Sequence, residues 1–192
     1  MTETVKPLWW GEPTAATILK SWHATITGPT NRAARAALRR VGPAEDACLV
    51  PAFGELVVRL REAGFRLSTH RALLMAAEAV AVAEIDDDGP HADVSERPTI
   101  DVFAEPFAKA VSADEIAPAR NRLLLSTDDP RMFLRLLRST LSMLRAKHKP
   151  APVIAIAEIV RSWGDADRRI NMRRHIALAL AGHLADENRG TR

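Results

Sequence analysis

Apolar residues recur along the chain at intervals of three and four, the spacing that places them on one face of a helix. Ile18, Leu19 and Trp22 mark a first helix, with Thr14 placed to cap it and Thr27-Gly28-Pro29 to stop it near Ile26. A short second helix is predicted at about Asn31 to Arg40. Pro51 suits the first turn of a third that carries Phe53, Leu56, Val57 and Leu60 and ends at Gly64. Ser68 caps a long apolar helix to about Ile85, and a shorter one spans Phe103 to Ala110. The capping-box spacing of Ser112 and Glu115 opens a helix to about Leu125, and Asp128-Asp129-Pro130 opens one that runs to about Lys147. Two more, Val153 to Trp163 and Asp165 to about Ala185, flank Gly164. No segment alternates convincingly with the period of a strand.

The expected fold class is therefore all-α, with two small helical bundles packed together. The breaker-rich acidic stretch Asp86-Asp87-Asp88-Gly89-Pro90 to Pro98 divides them. This gives an N-terminal bundle over residues 1–86, a solvated acidic loop or linker over 87–101, and a C-terminal bundle over 102–192. Composition agrees. Of 192 residues 47% are hydrophobic, enough for one good core or two small ones, and the 5% aromatic content contains no Tyr, which disfavours all-β folds. One cysteine, an N-terminus without a basic and then apolar leader, and no long apolar run lead to the expectation of a cytoplasmic protein.

Charge changes the picture. The net charge of +3 conceals an acidic centre, with eleven acids and two bases between Glu78 and Glu115. A basic part follows, with thirteen bases and five acids from Ala117 to His175, and eleven of those bases are arginine. On the helix opened by Pro130, Arg131, Arg135, Arg138 and Arg145 fall within a sector of roughly 80°. Phe133, Leu136, Leu137 and Leu144 lie opposite. In the second helix Arg32, Arg35 and Arg39 span roughly 60°, with Arg40 beside them. Neither stripe is interleaved with acids one turn away, unlike the mixed faces of ordinary soluble helices. Arginine forks tracking along one surface are what a phosphate backbone needs, and a solvated face of an amphipathic helix is the plain alternative.

Enzyme signatures are missing: there is no metal-binding His-Glu-x-x-His, no phosphate loop, no nucleophile elbow and no paired-cysteine spacing. His91 beside Asp86, Asp87, Asp88 and Asp93 is read as part of a flexible acidic loop rather than as a metal site, and no cofactor is expected. Cys48 is read as a small buried side chain, and Trp22 and Trp163 as core anchors. Trp9 and Trp10, outside any capped helix, are free to dock the N-terminal tail or a partner.

Certain runs together resemble a known family. Leu19-Lys20-Ser21-Trp22, then Arg35-Ala36-Ala37-Leu38-Arg39-Arg40 and Pro51-Ala52-Phe53 are similar to the N-terminal half of CasB, the small subunit of the type I-E CRISPR Cascade complex. Ala119-Arg120-Asn121-Arg122-Leu123-Leu124, the run Phe133 to Arg138 and Val160-Arg161-Ser162-Trp163 resemble its C-terminal half. The likeness covers roughly residues 15 to 180. It implies an all-helical, non-catalytic protein, present as two copies in a guide-RNA surveillance complex. Its implied partners are the repeated backbone subunits, the large subunit, the guide RNA and the target DNA, and its basic surfaces would stabilise the R-loop. Such contacts can tip a nearly balanced exchange of duplex for hybrid.

The implied nucleic-acid contacts are Lys20, Arg39 and Arg40 in the N-terminal half, and Arg120, Arg122, Arg135, Arg138, Arg169 and Arg173 in the C-terminal half; the stripes themselves add Arg35 and Arg131. The final helix departs from the family in lacking aromatics between Arg174 and Leu180. Two other readings remain open: a helical protein-binding adaptor, and a stand-alone DNA-binding regulator, which would concentrate base-reading polar residues on one recognition helix.

Overall fold

The computed structural model describes residues 9–89, 100–112 and 118–190, with side chains up to His183. The fold is all-α. Its α-helices are α1 (Pro13–Thr27), α2 (Arg32–Arg40), α3 (Pro51–Glu62), α4 (Thr69–Val82), α5 (Asp101–Ser112), α6 (Pro118–Ser126), α7 (Pro130–Ala146), α8 (Val153–Trp163) and α9 (Ala166–Gly190). Short 3-10 turns at Pro29–Asn31 and Ala44–Leu49 link α1 to α2 and α2 to α3.

Local chemistry sets most of the boundaries. Asp129 accepts from the Arg131 amide at 2.9 Å and Pro130 takes the first position of α7. Ser68 accepts from the Arg71 amide at 3.2 Å and opens α4. At the end of α3, Gly64 takes φ +86°, which lets the Phe65 amide reach the Leu60 carbonyl at 3.0 Å and the Gly64 amide reach Arg61 at 2.9 Å. That double closure needs a left-handed residue, the conformation glycine adopts at least cost. Glu12, not Thr14, caps α1: its carboxylate accepts from the Ala15 amide at 2.7 Å, because Pro13 already occupies the first helical position. Ser112 ends α5, its hydroxyl donating to the Lys109 carbonyl at 3.2 Å, and the rest of the expected capping box lies outside the described residues.

α8 is the centre. Its sequence, Val-Ile-Ala-Ile-Ala-Glu-Ile-Val, is apolar on every side, and every residue from Val153 to Val160 is buried. α4 packs along it, as do α5, α9, α1 and α7, and α5 lies against α9. A continuous cluster of buried side chains runs from Trp10 to Met172 and Ile176. Trp22 and Trp163 are fully buried; the Trp163 ring stacks on Phe133 with centroids 3.7 Å apart and donates its indole N–H to the Thr127 carbonyl at 3.1 Å. Cys48 is exposed, contrary to the expectation from its residue type, because the 3-10 turn buries Ala47 and leaves Cys48 and Leu49 facing outward.

Trp10 docks the chain's beginning onto this core. Its indole N–H donates to Glu78 Oε2 at 2.7 Å and its amide to Glu158 Oε2 at 3.2 Å. Arg71 pairs with Glu78 at 2.6 Å and lies over the indole, and Arg161 pairs with Glu158 at 3.3 Å. Burial pushes the Glu158 carboxyl above its usual range against the pull of Arg161. Replacing Trp10 by Phe keeps the ring but leaves the buried Glu78 without its indole donor. It is expected to lower stability by about 1–3 kcal/mol, read as a fall in the urea midpoint at unchanged slope.

Candidate nucleic-acid interface

The two arginine stripes meet rather than face outward separately. α4 ends at Val82, and the chain continues through Ala83, Glu84 and Ile85, all buried, into Asp86. From α2, Arg35 and Arg39 both donate through Nε to the Ala83 carbonyl, at 3.0 and 2.7 Å. Their outer nitrogens hold Asp86, Arg39 Nη2 at 2.8 Å and Arg35 Nη2 in closer contact. From α7, Arg138 reaches Glu84 at 3.2 Å and Arg145 reaches it at 2.5 Å, while Arg39 Nε stands 3.7 Å from the same carboxylate. Arg138 also donates to the carbonyls of Val41, at 2.9 Å, and Arg39, closing the carbonyl end of α2.

The first residues of the acidic stretch, Glu84 to Gly89, are tied into the structure, where a solvated loop was the expectation for the stretch as a whole. Glu84 has a side chain only 8% exposed and answers three arginines. Asp87 accepts from the Ala151 amide at 3.1 Å, Gly89 donates to the Ala151 carbonyl at 3.0 Å, and Asp88 accepts from the Val153 amide at 3.0 Å. Asp88 thus caps α8 from a distant part of the chain. Residues 90–99 of the stretch, with His91 and Asp93, lie outside the described residues, among which no group of three or more histidines, cysteines and carboxylates is placed to hold a metal ion.

The other expected contacts are spread over the surface. Arg169 and Arg173 on α9 turn to Asp128: Arg173 reaches its carboxylate at 2.7 Å and Arg169 its carbonyl at 3.0 Å, and Arg173 lies over the Trp163 ring. Arg120 donates to Ser139 at 2.8 Å and ties α6 to α7. Arg122 is exposed at a shallow hollow of about 270 Å³ against Ala177 and Leu180 of α9. Arg40 is exposed, its Nε donating to the Ala36 carbonyl at 3.1 Å, and Lys20 is half-buried on α1.

Arg131 and Arg135 differ from the rest of their stripe. Both are exposed. They line an open groove of about 800 Å³ between α7 and residues 42–45, with Met132 and Leu134 also lining it and Glu84, Arg138, Ser139 and Ser142 along its wall. The Arg131 side chain is 86% exposed and makes one ion pair, with Glu45 at 3.1 Å, which contributes little in water. Arg135 rests its Nη2 on the Met132 sulfur at 2.8 Å, and among the described residues it makes no ion pair. The groove presents guanidinium forks to solvent, a surface suited to binding an anion.

Sequence reasoning missed the internal countercharges. A signal for Glu84 was present: an acid embedded in the apolar run Ala81-Val82-Ala83-Glu84-Ile85 is carried inside by its neighbours and must be met by a cation there.

The chain matches the family described as CRISPR-associated protein Cse2 over residues 34–181, most of its length. It belongs to the CRISPR-associated protein Cse2 family. The α7 stripe, Arg35 and Arg39 of the α2 stripe, Glu84 and the groove fall within the matched stretch, whereas Arg32, Lys20 and Trp10 precede it. No curated protein and no solved structure matches the chain. As a Cse2 protein it is a subunit of a CRISPR Cascade complex, with Cascade proteins as its partners. Among the described residues no helix is long and apolar enough to cross a membrane.

Two consequences can be measured. Glu84→Gln leaves three arginines facing a buried neutral amide, and a stability loss of about 3–5 kcal/mol is expected, seen as a large fall in the thermal midpoint. His23 is buried beside this cluster, its Nε2 at 2.9 Å from the Ile85 carbonyl, and burial holds its pKa below the ordinary 6.5. The folded state therefore resists protonating it, so its contribution to stability is complete above about pH 6.5 and is lost as pH falls towards the lower folded value. Glu158, with its raised pKa, acts in the opposite sense, since the folded state binds its proton more tightly. Denaturant titrations at pH 7.5 and 5.5 are expected to show a smaller acid-side loss in His23→Gln than in the wild type.

Proposed function

We propose that this Cse2 protein is a non-catalytic small subunit whose groove between α7 and residues 42–45 tracks nucleic-acid phosphates and so helps hold the R-loop in antiviral defence. The observation that carries this reading is the pair Arg131 and Arg135, one turn apart, exposed along an open groove within the family-matched stretch. Bases at that spacing suit successive phosphates, give affinity without sequence preference, and leave sequence recognition to the guide RNA. Lys20, Arg40, Arg120 and Arg122 are secondary contacts, and Arg35, Arg39, Arg138, Arg169 and Arg173 reach nucleic acid only where their internal partners give way.

The same reading has the protein working in the cytoplasm beside the repeated backbone subunits, the large subunit and a second copy of itself. Protein contacts have their own support: Ile170 and Leu178 are large apolar residues exposed on α9, and Leu123 is exposed on α6. An adaptor reading would assign the whole surface to such contacts.

Binding of single-stranded and duplex DNA across a salt series separates the two. The wild type is expected to bind weakly, without sequence preference and with steep salt dependence. Arg131→Ala with Arg135→Ala is expected to lower affinity and flatten the log–log salt slope by about 1.4 on a single strand, with an unchanged melting temperature. Undetectable wild-type binding at low salt would overturn the proposal in favour of the adaptor.

A further inference from the structure

Resting on the nucleic-acid reading above, we propose that Asp86 is an internal stand-in for a phosphate: it occupies the Arg35 and Arg39 forks in the free protein, and an incoming nucleic-acid phosphate displaces it.

Three observations carry this. First, Arg35 and Arg39 lie one turn apart on α2 and share a single Asp86 oxygen, Oδ1. A guanidinium fork accommodates a carboxylate and a phosphate in the same way, so the place Asp86 fills is one a phosphate oxygen can fill. Second, the two forks stay aimed without Asp86, because each Nε is fixed on the Ala83 carbonyl and Arg35 Nη2 also donates to the Ile85 carbonyl. Releasing the carboxylate leaves two anchored guanidiniums, 12% and 24% exposed, bordering the place that the more exposed Asp86 side chain had filled.

Third, the two acids of the cluster differ in how readily they can leave. Glu84 is nearly enclosed and held by three arginines from two helices, whereas the Asp86 side chain is 43% exposed. Competition with a dissolved anion acts on the exposed partner, where water screens the pair and solvates the departing carboxylate. Among the described residues the ion pairs of Arg35, Arg39, Arg138 and Arg145 are with Glu84 and Asp86, four cations to two carboxylates, so the cluster keeps a cationic excess. The low carboxyl pKa of Asp86, held down by hydrogen bonds and charge from both arginines, keeps it ionised and in competition at neutral pH.

Asp86→Asn keeps the shape and removes the charge. Binding of a fluorescent oligothymidylate to the full chain is expected to tighten about threefold to tenfold, with a salt slope steeper by about 0.7, the value of one added phosphate contact on a single strand. If Asp86→Asn binds like the wild type, or more weakly, while Arg131→Ala with Arg135→Ala still loses affinity, the displacement is overturned and the groove reading survives. If neither the wild type nor Asp86→Asn binds, both fall. A second measurement needs no variant: the Nε–H resonances of Arg35 and Arg39 in the labelled wild-type protein are expected to shift on titration with the same oligonucleotide. Unmoved resonances at saturation would overturn the displacement.

Discussion

A buried carboxylate cannot be left alone, and Glu84 organises one side of this protein for that reason. Removing an ionised group from water costs several kcal/mol, and the cost is offset only where cations and donors meet it at close range. Ala83 and Ile85 carry Glu84 inside at the end of α4, and Arg39, Arg138 and Arg145 meet it there. These partners come from α2 and α7, and the core alone would hold α2 only loosely: Leu38 is the one side chain of α2 that is buried. Arg138 adds the closure of the carbonyl end of α2. The position of α2 against α4 and α7 is thus an electrostatic result as much as a hydrophobic one.

The same constraint recurs at the opposite charge cluster with a different outcome. Glu78 and Glu158 sit on α4 and α8, where the faces that pack together are otherwise apolar, and both are buried. Their cations, Arg71 and Arg161, come from their own helices at spacings of seven and three residues, and Trp10 supplies the remaining N–H donors. Because the helices neutralise themselves, what this cluster orders is the segment that precedes α1. Glu84 draws in other helices; Glu78 and Glu158 draw in the segment at Trp10.

How much of this was legible in the sequence follows from the range of each interaction. The helix boundaries at Pro51, Ser68, Pro130 and Gly164 are settled by neighbours within a few residues, and periodicity with caps reads them directly. The burial of Trp22 and Trp163 follows from their apolar faces. The partners of the arginines do not follow from such signals. Helical geometry correctly places Arg135 and Arg138 on one side of α7, yet one is exposed on Met132 and the other is held against Glu84, 54 residues away in sequence. The absence of acids one turn away fits a face open to an external anion and equally one met by acids from elsewhere in the fold; for Arg35, Arg39, Arg138 and Arg145 the segment after α4 supplies them. Only contacts between distant segments distinguish the two, and a single sequence carries no direct record of them.

This division bears on what a count of basic residues means for the protein's work. An arginine contributes to phosphate binding in proportion to the counterions it releases, so one already neutralised by a buried carboxylate adds little until that partner leaves. The stripes would seat a long polyanion if every member were exposed. With Arg138 and Arg145 paired to Glu84, the proposed reading leaves Arg131 and Arg135 as the stripe members open to a phosphate, and Arg35 and Arg39 would join them only through the proposed exchange with Asp86. On the proposed reading weak affinity in the free subunit is the physical consequence, which suits a subunit of an assembly. If the assembly brings nucleic acid close, the raised local concentration of phosphate would let a modest surface hold it without the free subunit binding nucleic acid indiscriminately.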